Sequence, residues 1–275
     1  MAEKLLDVLV PAYGDVKGVE KILSRIGNEQ RCRLIVSDDS TDATIINNIK
    51  DICLRYNATY KMGPRSGAVS NWNFLLSHAK STYCVLVHHD ECFSNTNFID
   101  ELEKNTCAAD ILVLPVVVVN SNNVARYVYS WQQRLLIRFF RPFGPMLNIL
   151  AGPTATFIFK TNKSCDFHPN LVYQVDCEWY TRILSDVENK NIFFFDGTSV
   201  LSTFLSGSIT DTIRVNLKEI IESDKRVLEQ TSWGGMMKKW SYFSHLITFL
   251  SRLVMLPSYV PFYFKRIFQV KDVNR

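Results

Sequence analysis

Three short apolar runs punctuate the first ninety residues, and each ends abruptly in polar groups. Leu5 to Val10 runs into Pro11, Ala12, Tyr13 and Gly14. Cys32 to Val36 runs into Ser37, Asp38, Asp39, Ser40, Thr41 and Asp42. Val85 to Val87 runs into His88, His89, Asp90 and Glu91. Mostly apolar runs of this length, interrupted only by Asp7 and Arg33, read as strands buried on both faces. Between the first two, Val16, Val19, Ile22, Leu23 and Ile26 recur at helical spacing and stop at Gly27; after the second, Ile45, Ile46, Ile49, Ile52, Cys53 and Tyr56 do the same. The loop Gly63 to Gly67, which carries Arg65, opens a third helix over Ala68 to Ala79. Strand, helix and strand in alternation imply βαβ units and a mostly parallel sheet, an α/β fold flanked by helices. Ligands of such sheets bind outside the carboxyl ends of the strands, so three polar clusters on one edge predict a site there.

The rest of the chain bounds the function. At 275 residues, 47% hydrophobic and 21% charged, it is long enough for a large core and carries no disordered signature. Seven cysteines, an odd number without a metal-type pair, read as reduced thiols in a cytoplasmic protein. The leading apolar run is too short for a signal peptide. The formal charge of +4 is uneven: residues 231–275 carry +6, leaving the remainder at −2. No internal repeat or nucleic-acid-binding module is visible, so no nucleic-acid partner is expected.

Further along, Phe98 to Thr106 reads as a helix and Asp110 to Val119 as a buried strand bent at Pro115, which argues for an edge or a bulge. Arg134, Arg138 and Arg141 share one helical face, suited to an anionic acceptor or membrane headgroups, or simply exposed. Ala151 to Thr156 is a run of small residues before the strand Phe157 to Lys160, and Asp176 opens an amphipathic segment. A helix N-terminus there favours the ionised carboxylate. On the residues alone Asp176 reads first as an N-cap that satisfies backbone donors.

Val8 to Tyr13, Val36 to Asp42, Asn71-Trp72-Asn73 and the run ending at Glu91 together resemble the inverting GT-A glycosyltransferases of family 2, of the bacterial surface-polysaccharide type, over roughly residues 5–200. The resemblance implies a Rossmann-like GT-A fold for residues 1–205, followed by a C-terminal helical, aromatic and basic extension over 206–275. It implies transfer of a sugar, with inversion, from a nucleotide-sugar donor, with UDP first in expectation, to a glycan or polyprenyl-diphosphate-linked hydroxyl in surface-polysaccharide synthesis.

Pro11, Ala12 and Tyr13 would wall the nucleotide base, and Asp38 or Asp39 would accept from its ring nitrogen. Arg65 would meet the phosphates, its alternative being a solvated loop cation. Similarity to the family's Asp-x-Asp motif puts Asp90 in the role of ligand to a divalent metal, Mn²⁺ or Mg²⁺. His88 stands where the motif has its first Asp, and an imidazole is the softer ligand; His89 is placed beside the ribose. Gly152 and Thr154 match the acceptor-side segment, where small residues admit a sugar close to the backbone. Asp176 matches the second acid of a Glu-Asp-x-Glu motif whose first position is Val175 here, and so becomes the general base. Glu178 becomes an acceptor-binding or supporting group.

The extension is interrupted by Arg252, Pro257 and Pro261, so it does not read as a spanning helix. It fits a segment lying on the inner face of the plasma membrane, or a helical pair packed on the catalytic domain or in a homo-oligomer interface. Two other classes stay open: a nucleotidyltransferase, for which Val16-Lys17-Gly18 is a poor phosphate loop, and a catalytically silent nucleotide-sugar-binding subunit, motivated by His88.

Overall fold

The computed structural model describes residues 4–120, 123–140, 153–203, 216–230, 253–254 and 256–257. Its centre is a seven-stranded sheet in the order β10-β6-β9-β4-β1-β2-β3. These strands are β1 (Leu6–Ala12), β2 (Cys32–Asp38), β3 (Thr59–Met62), β4 (Tyr83–Leu86), β6 (Ile111–Val113), β9 (Phe157–Lys160) and β10 (Ile192–Phe194). β1 lies parallel to β2 and β4, with Ala12 opposite Asp38 and Leu9 opposite Leu86. Only β9 runs antiparallel to its neighbours, β4 and β6. β1 is buried along its whole length, its apolar residues in the core and its one charged residue, Asp7, buried with hydrogen-bond partners.

The helices α1 (Val16–Ile26), α2 (Ala43–Arg55), α3 (Ala68–Leu76) and α4 (Asn97–Lys104) follow the periodic segments. Asp15 accepts from the N–H of Gly18 to cap α1, and Asp42 accepts from Thr44 and Ile45 to cap α2. Val19, Ile22, Leu23 and Ile26 face the core from α1, and Ile49, Ile52 and Cys53 from α2.

The expected single strand through Pro115 divides in two. β6 ends at Val113 in the large sheet, and β7 (Val116–Asn120) starts a second sheet of order β5-β11-β7-β8, with β5 (Glu91–Phe93), β8 (Asn123–Val128) and β11 (Val200–Thr203). A proline lacks the N–H that either ladder would need, and here the chain changes sheets at that residue. The second sheet places β5 directly after the His88 to Asp90 turn.

α5 (Ser130–Phe140), α6 (Val175–Ser185) and α7 (Leu217–Glu229) complete the described helices. The Arg134 guanidinium lies over the Phe194 ring, 5.1 Å from its centre; Arg141 and the side chain of Arg138 lie outside the described residues. α7, the first helix of the expected extension, is docked: Leu228 is buried in the core and Asp224 is wholly buried. Val254 is also held, its carbonyl accepting from Gln132 of α5 at 2.7 Å. Most of the aromatic, basic tail lies outside the described residues, and among those described no helix is long and apolar enough to cross a membrane. The seven cysteines are free thiols.

Candidate active site

β4 delivers its polar cluster through a tight turn, closed by the Glu91 N–H donating to the His88 carbonyl at 2.9 Å. Two neighbours fix this turn. On one side α1 comes so close that a Cβ on Gly18 would stand 2.5 Å from the His89 carbonyl oxygen and 2.8 Å from its Cβ. On the other, Thr203 at the end of β11 donates to the Asp90 carbonyl from its N–H (2.9 Å) and its hydroxyl (3.0 Å).

Glu91 is the strut beneath. Its Oε2 accepts from the N–H of His88 (3.1 Å), the N–H of Ala155 (3.2 Å) and the Thr154 hydroxyl (3.4 Å), while Oε1 lies 3.5 Å from Nδ1 of His88. His88 Nδ1 also lies 3.4 Å from the Thr154 hydroxyl, and its ring packs on Trp72 of α3 at 4.8 Å between centres. One ligand atom from each of His88, Asp90 and Glu91 falls within 4.8 Å of the others. With Oε2 of Glu91 taken by three donors, Asp90 carries the less committed carboxylate.

Asp176 lies in the first turn of α6, within electrostatic reach of His88, Glu91 and Asp90. An aromatic ladder sets that helix. Phe167 packs edge-on against Trp72 (5.1 Å) and stacks on Trp179 of α6 (4.3 Å), which in turn meets Phe159 of β9 at 5.2 Å. Asn73 locks Phe167 from both ends: its amide donates to the Phe167 carbonyl at 3.0 Å, and its oxygen accepts the Phe167 N–H at 2.7 Å. Each buried aromatic contributes a large apolar area, so the ladder is a rigid mount for the two faces of the site.

The electrostatics are those of charges short of partners. Oδ1 of Asp176 and Nε2 of His88 are enclosed without a hydrogen-bond partner. Burial pushes the Asp176 carboxyl up to about 6; His88 works against the shift, while Glu91 and Asp90 add to it. Burial is the largest of these causes, and it works against the ionised form that a helix N-terminus favours. Burial alone would lower the His88 imidazole, but Glu91, with Asp176 and Asp90, outweighs that and takes it up to about 9. Asp90 is raised by burial and by Glu91.

At the neighbouring strand ends, Asp38 spends both oxygens internally, accepting from the Ser40 N–H (2.9 Å) and the Tyr60 hydroxyl (3.2 Å). Asp39 accepts the Arg65 N–H on Oδ1 at 3.0 Å. Gly63 permits this closeness, since a Cβ there would stand 2.1 Å from that oxygen. Asn71 ties the ledge down by donating to the Ser37 carbonyl at 3.1 Å. Pro11 and Ala12 are buried at the end of β1, and Tyr13 stands 68% exposed beside them.

The family model described as glycosyl transferase family 2 matches residues 7–171, more than half of the chain. The chain belongs to glycosyl transferase family 2. Among solved structures, residues 1–349 of S. aureus TarS in complex with UDP-GlcNAc align at TM-score 0.59 and 16% identity, over 83% of this chain and 67% of that one. The mannosyltransferase PcManGT from Pyrobaculum calidifontis, in complex with GDP-Man and Mn²⁺, aligns at 0.55 and 11%, over 84% and 66%. The chain spans about two thirds of the length of these structures, and 40% of a longer TarS structure. At such identities the likeness is one of fold, the mostly parallel GT-A sheet of this family. A search of curated proteins returns no match.

For a family 2 chain, the residues singled out in the sequence largely converge. Asp90 clusters with His88 and Glu91, Thr154 reaches both of the latter, and Asp176 feels the charges of all three, while Asp38, Asp39 and Tyr13 lie on the ledge formed by the ends of β1 and β2. Arg65 has an exposed side chain and reaches the ledge through its backbone. His89 shows its backbone to α1. Glu178 faces away, holding Arg182 bidentately at 2.5 and 2.8 Å. Gly152 lies outside the described residues. The role of Glu91 as a strut is not visible in the sequence, since its partner Ala155 is 64 residues distant.

Proposed function

We propose that this family 2 chain is a metal-dependent, inverting glycosyltransferase that uses a nucleotide-sugar, with a UDP-sugar as first expectation. The observation that carries the reading is Asp176, a carboxylate with an enclosed, unpartnered oxygen, pushed up to about 6 and facing His88, Asp90 and Glu91. A base whose pKa lies close to the working pH is well matched to taking a proton from a hydroxyl in the transition state.

In the step, the acceptor oxygen attacks the anomeric carbon from the face opposite the nucleotide. Its proton passes to Asp176 as the bond to the diphosphate oxygen breaks, and the nucleoside diphosphate departs with that electron pair. Asp39, which has engaged only Oδ1 with Arg65, accepts from the base in preference to Asp38, and Tyr13 covers the base ring. The donor set of imidazole and carboxylates fits a divalent ion such as Mn²⁺, which Asp90 would hold with His88 and Glu91 beside it. A bound divalent cation neutralises charge on the diphosphate leaving group. Thr154 supports the turn and borders the acceptor side.

A basic, aromatic tail suits a lipid-linked acceptor at a membrane surface, which would place the chain on the cytoplasmic face in surface-polysaccharide synthesis. TarS with UDP-GlcNAc and PcManGT with GDP-Man supply the first donors to try. Nucleotide release from UDP-GlcNAc and from GDP-mannose is measured with Mn²⁺ or Mg²⁺. Metal-dependent release is expected, abolished by Asp90→Ala and reduced about a hundredfold or more by Asp176→Asn. Undiminished release by Asp176→Asn removes the general base; nucleotide binding without release by any donor favours the silent subunit.

A further inference from the structure

α7 reads Leu217-Lys-Glu-Ile220-Ile221-Glu-Ser-Asp224-Lys-Arg-Val227-Leu228-Glu, and Asp224 sits on its apolar stripe, four residues from both Ile220 and Leu228. The carboxylate is completely buried. A buried charge is costly unless hydrogen bonds replace its water, and here three consecutive backbone N–H groups do so: Val172 at 3.0 Å to Oδ1, and Tyr173 and Gln174 at 2.8 Å each to Oδ2. Gln174 is the N-cap residue of α6, and no side chain of its own segment caps that helix. A residue some fifty positions downstream therefore supplies the anion at the helix N-terminus.

Asp176 is two residues past the last of these N–H groups. We propose that Asp224 is a positioning residue for the acceptor-activating carboxylate: it fixes where α6 begins, and so aims Asp176 at the site. This rests on the reading of Asp176 as general base. The charges that shift Asp176 are those of His88, Glu91 and Asp90, so Asp224 acts through the backbone. The family match ends at residue 171, and the acidic group and its clamp both lie beyond it. The first helix of the C-terminal region is thereby part of the catalytic unit.

The test uses the full chain as wild type, Asp224→Asn, Asp224→Ala, Asp176→Asn and the Asp176→Asn/Asp224→Asn double variant. With UDP-GlcNAc or GDP-mannose and Mn²⁺, Asp224→Asn should lower kcat by about tenfold to a hundredfold, with Asp224→Ala lower still, and leave the Kd for UDP or GDP unchanged within about twofold. In the Asp176→Asn background the Asp224→Asn change should add nothing, because the carboxylate it aims is gone. Amide exchange is read alongside and needs no turnover: Asp224→Asn should accelerate residues 172–178 while leaving β1 and β4 as protected as in wild type.

The proposal is overturned if exchange at 172–178 is unchanged, if it accelerates throughout the chain, or if kcat and nucleotide Kd deteriorate together. Failure of the general-base reading looks different: Asp176→Asn then retains turnover whatever happens at Asp224.

Discussion

Asp7 and Asp176, acids near opposite ends of the central sheet, are treated in opposite ways. At the amino end of β1, Asp7 accepts five hydrogen bonds: Nε and Nη2 of Arg33 at 2.7 and 2.6 Å, the N–H groups of Lys80 and Ser81 at 2.6 and 2.9 Å, and the Ser81 hydroxyl at 2.5 Å. Burial would raise its pKa, but Arg33, Ser81 and Lys80 together hold it below the ordinary value. At the carboxyl end, Asp90 and Asp176 are raised, and an oxygen of Asp176 and a nitrogen of His88 have no partner. The same sheet can satisfy an acid fully, as Asp7 shows. The shortage at Asp176 and His88 is what the proposed site predicts of groups that a ligand would complete.

The largest effect is expected where satisfaction is complete. Asp7→Asn strands the Arg33 fork and turns an amide toward two N–H donors, and it should cost about 3 kcal/mol in denaturant unfolding. A change under about 1 kcal/mol would remove the contrast between the two ends.

Next is the wall behind the metal-candidate turn. Gly18→Ala places a methyl carbon on the His89 backbone, so the turn or α1 must shift, at about 1–3 kcal/mol. The sharper readout is nucleotide affinity: calorimetry with UDP and Mn²⁺ should show weaker binding than the loss of stability alone explains. Unaltered binding would mean that the position of the turn does not matter to the ligand.

The pH dependence should separate the two ends by sign. Asp7, lowered in the folded state, contributes stability that is present above the unfolded carboxyl value of about 4 and lost as pH falls through its folded value. Asp176, raised to about 6, imposes a cost that is present above pH 6 and relieved as pH falls from 6 toward 4. Unfolding at stepped pH should show Asp176→Asn flattening the upper window and Asp7→Asn the lower one. Both variants acting in one window would contradict this assignment.

The same contrast explains what was legible in the residues. β1, β2 and β4, with α1 to α3, announced themselves because their apolar periodicity is a local property, and the polar groups at their ends had to gather on one edge. β3, with the residues Thr-Tyr-Lys-Met and a largely open surface, carries no such pattern. The three-residue β5, the four-residue β11 and the switch of sheets at Pro115 depend on partners far along the chain. Within the site, Asp90 and Asp176 stood out by motif, whereas the Glu91 strut and the Asp224 clamp arise from contacts across more than fifty residues or close to it. Asp224 did leave a local trace as a charge on an apolar helical stripe, the mark of a buried polar group.

The most direct test of the central claim is the thermal stability of Asp90→Asn against wild type, with and without UDP and Mn²⁺. Without ligand, the neutral amide relieves a raised, half-buried carboxylate beside Glu91, so the variant should match or exceed wild type by up to about 1 kcal/mol. With UDP and Mn²⁺ the order should reverse, wild type rising with ligand concentration and the variant hardly moving. A variant that is less stable without ligand, or that gains as much from UDP and Mn²⁺ as wild type does, would show that Asp90 is a structural acid like Asp7 and that the site lies elsewhere.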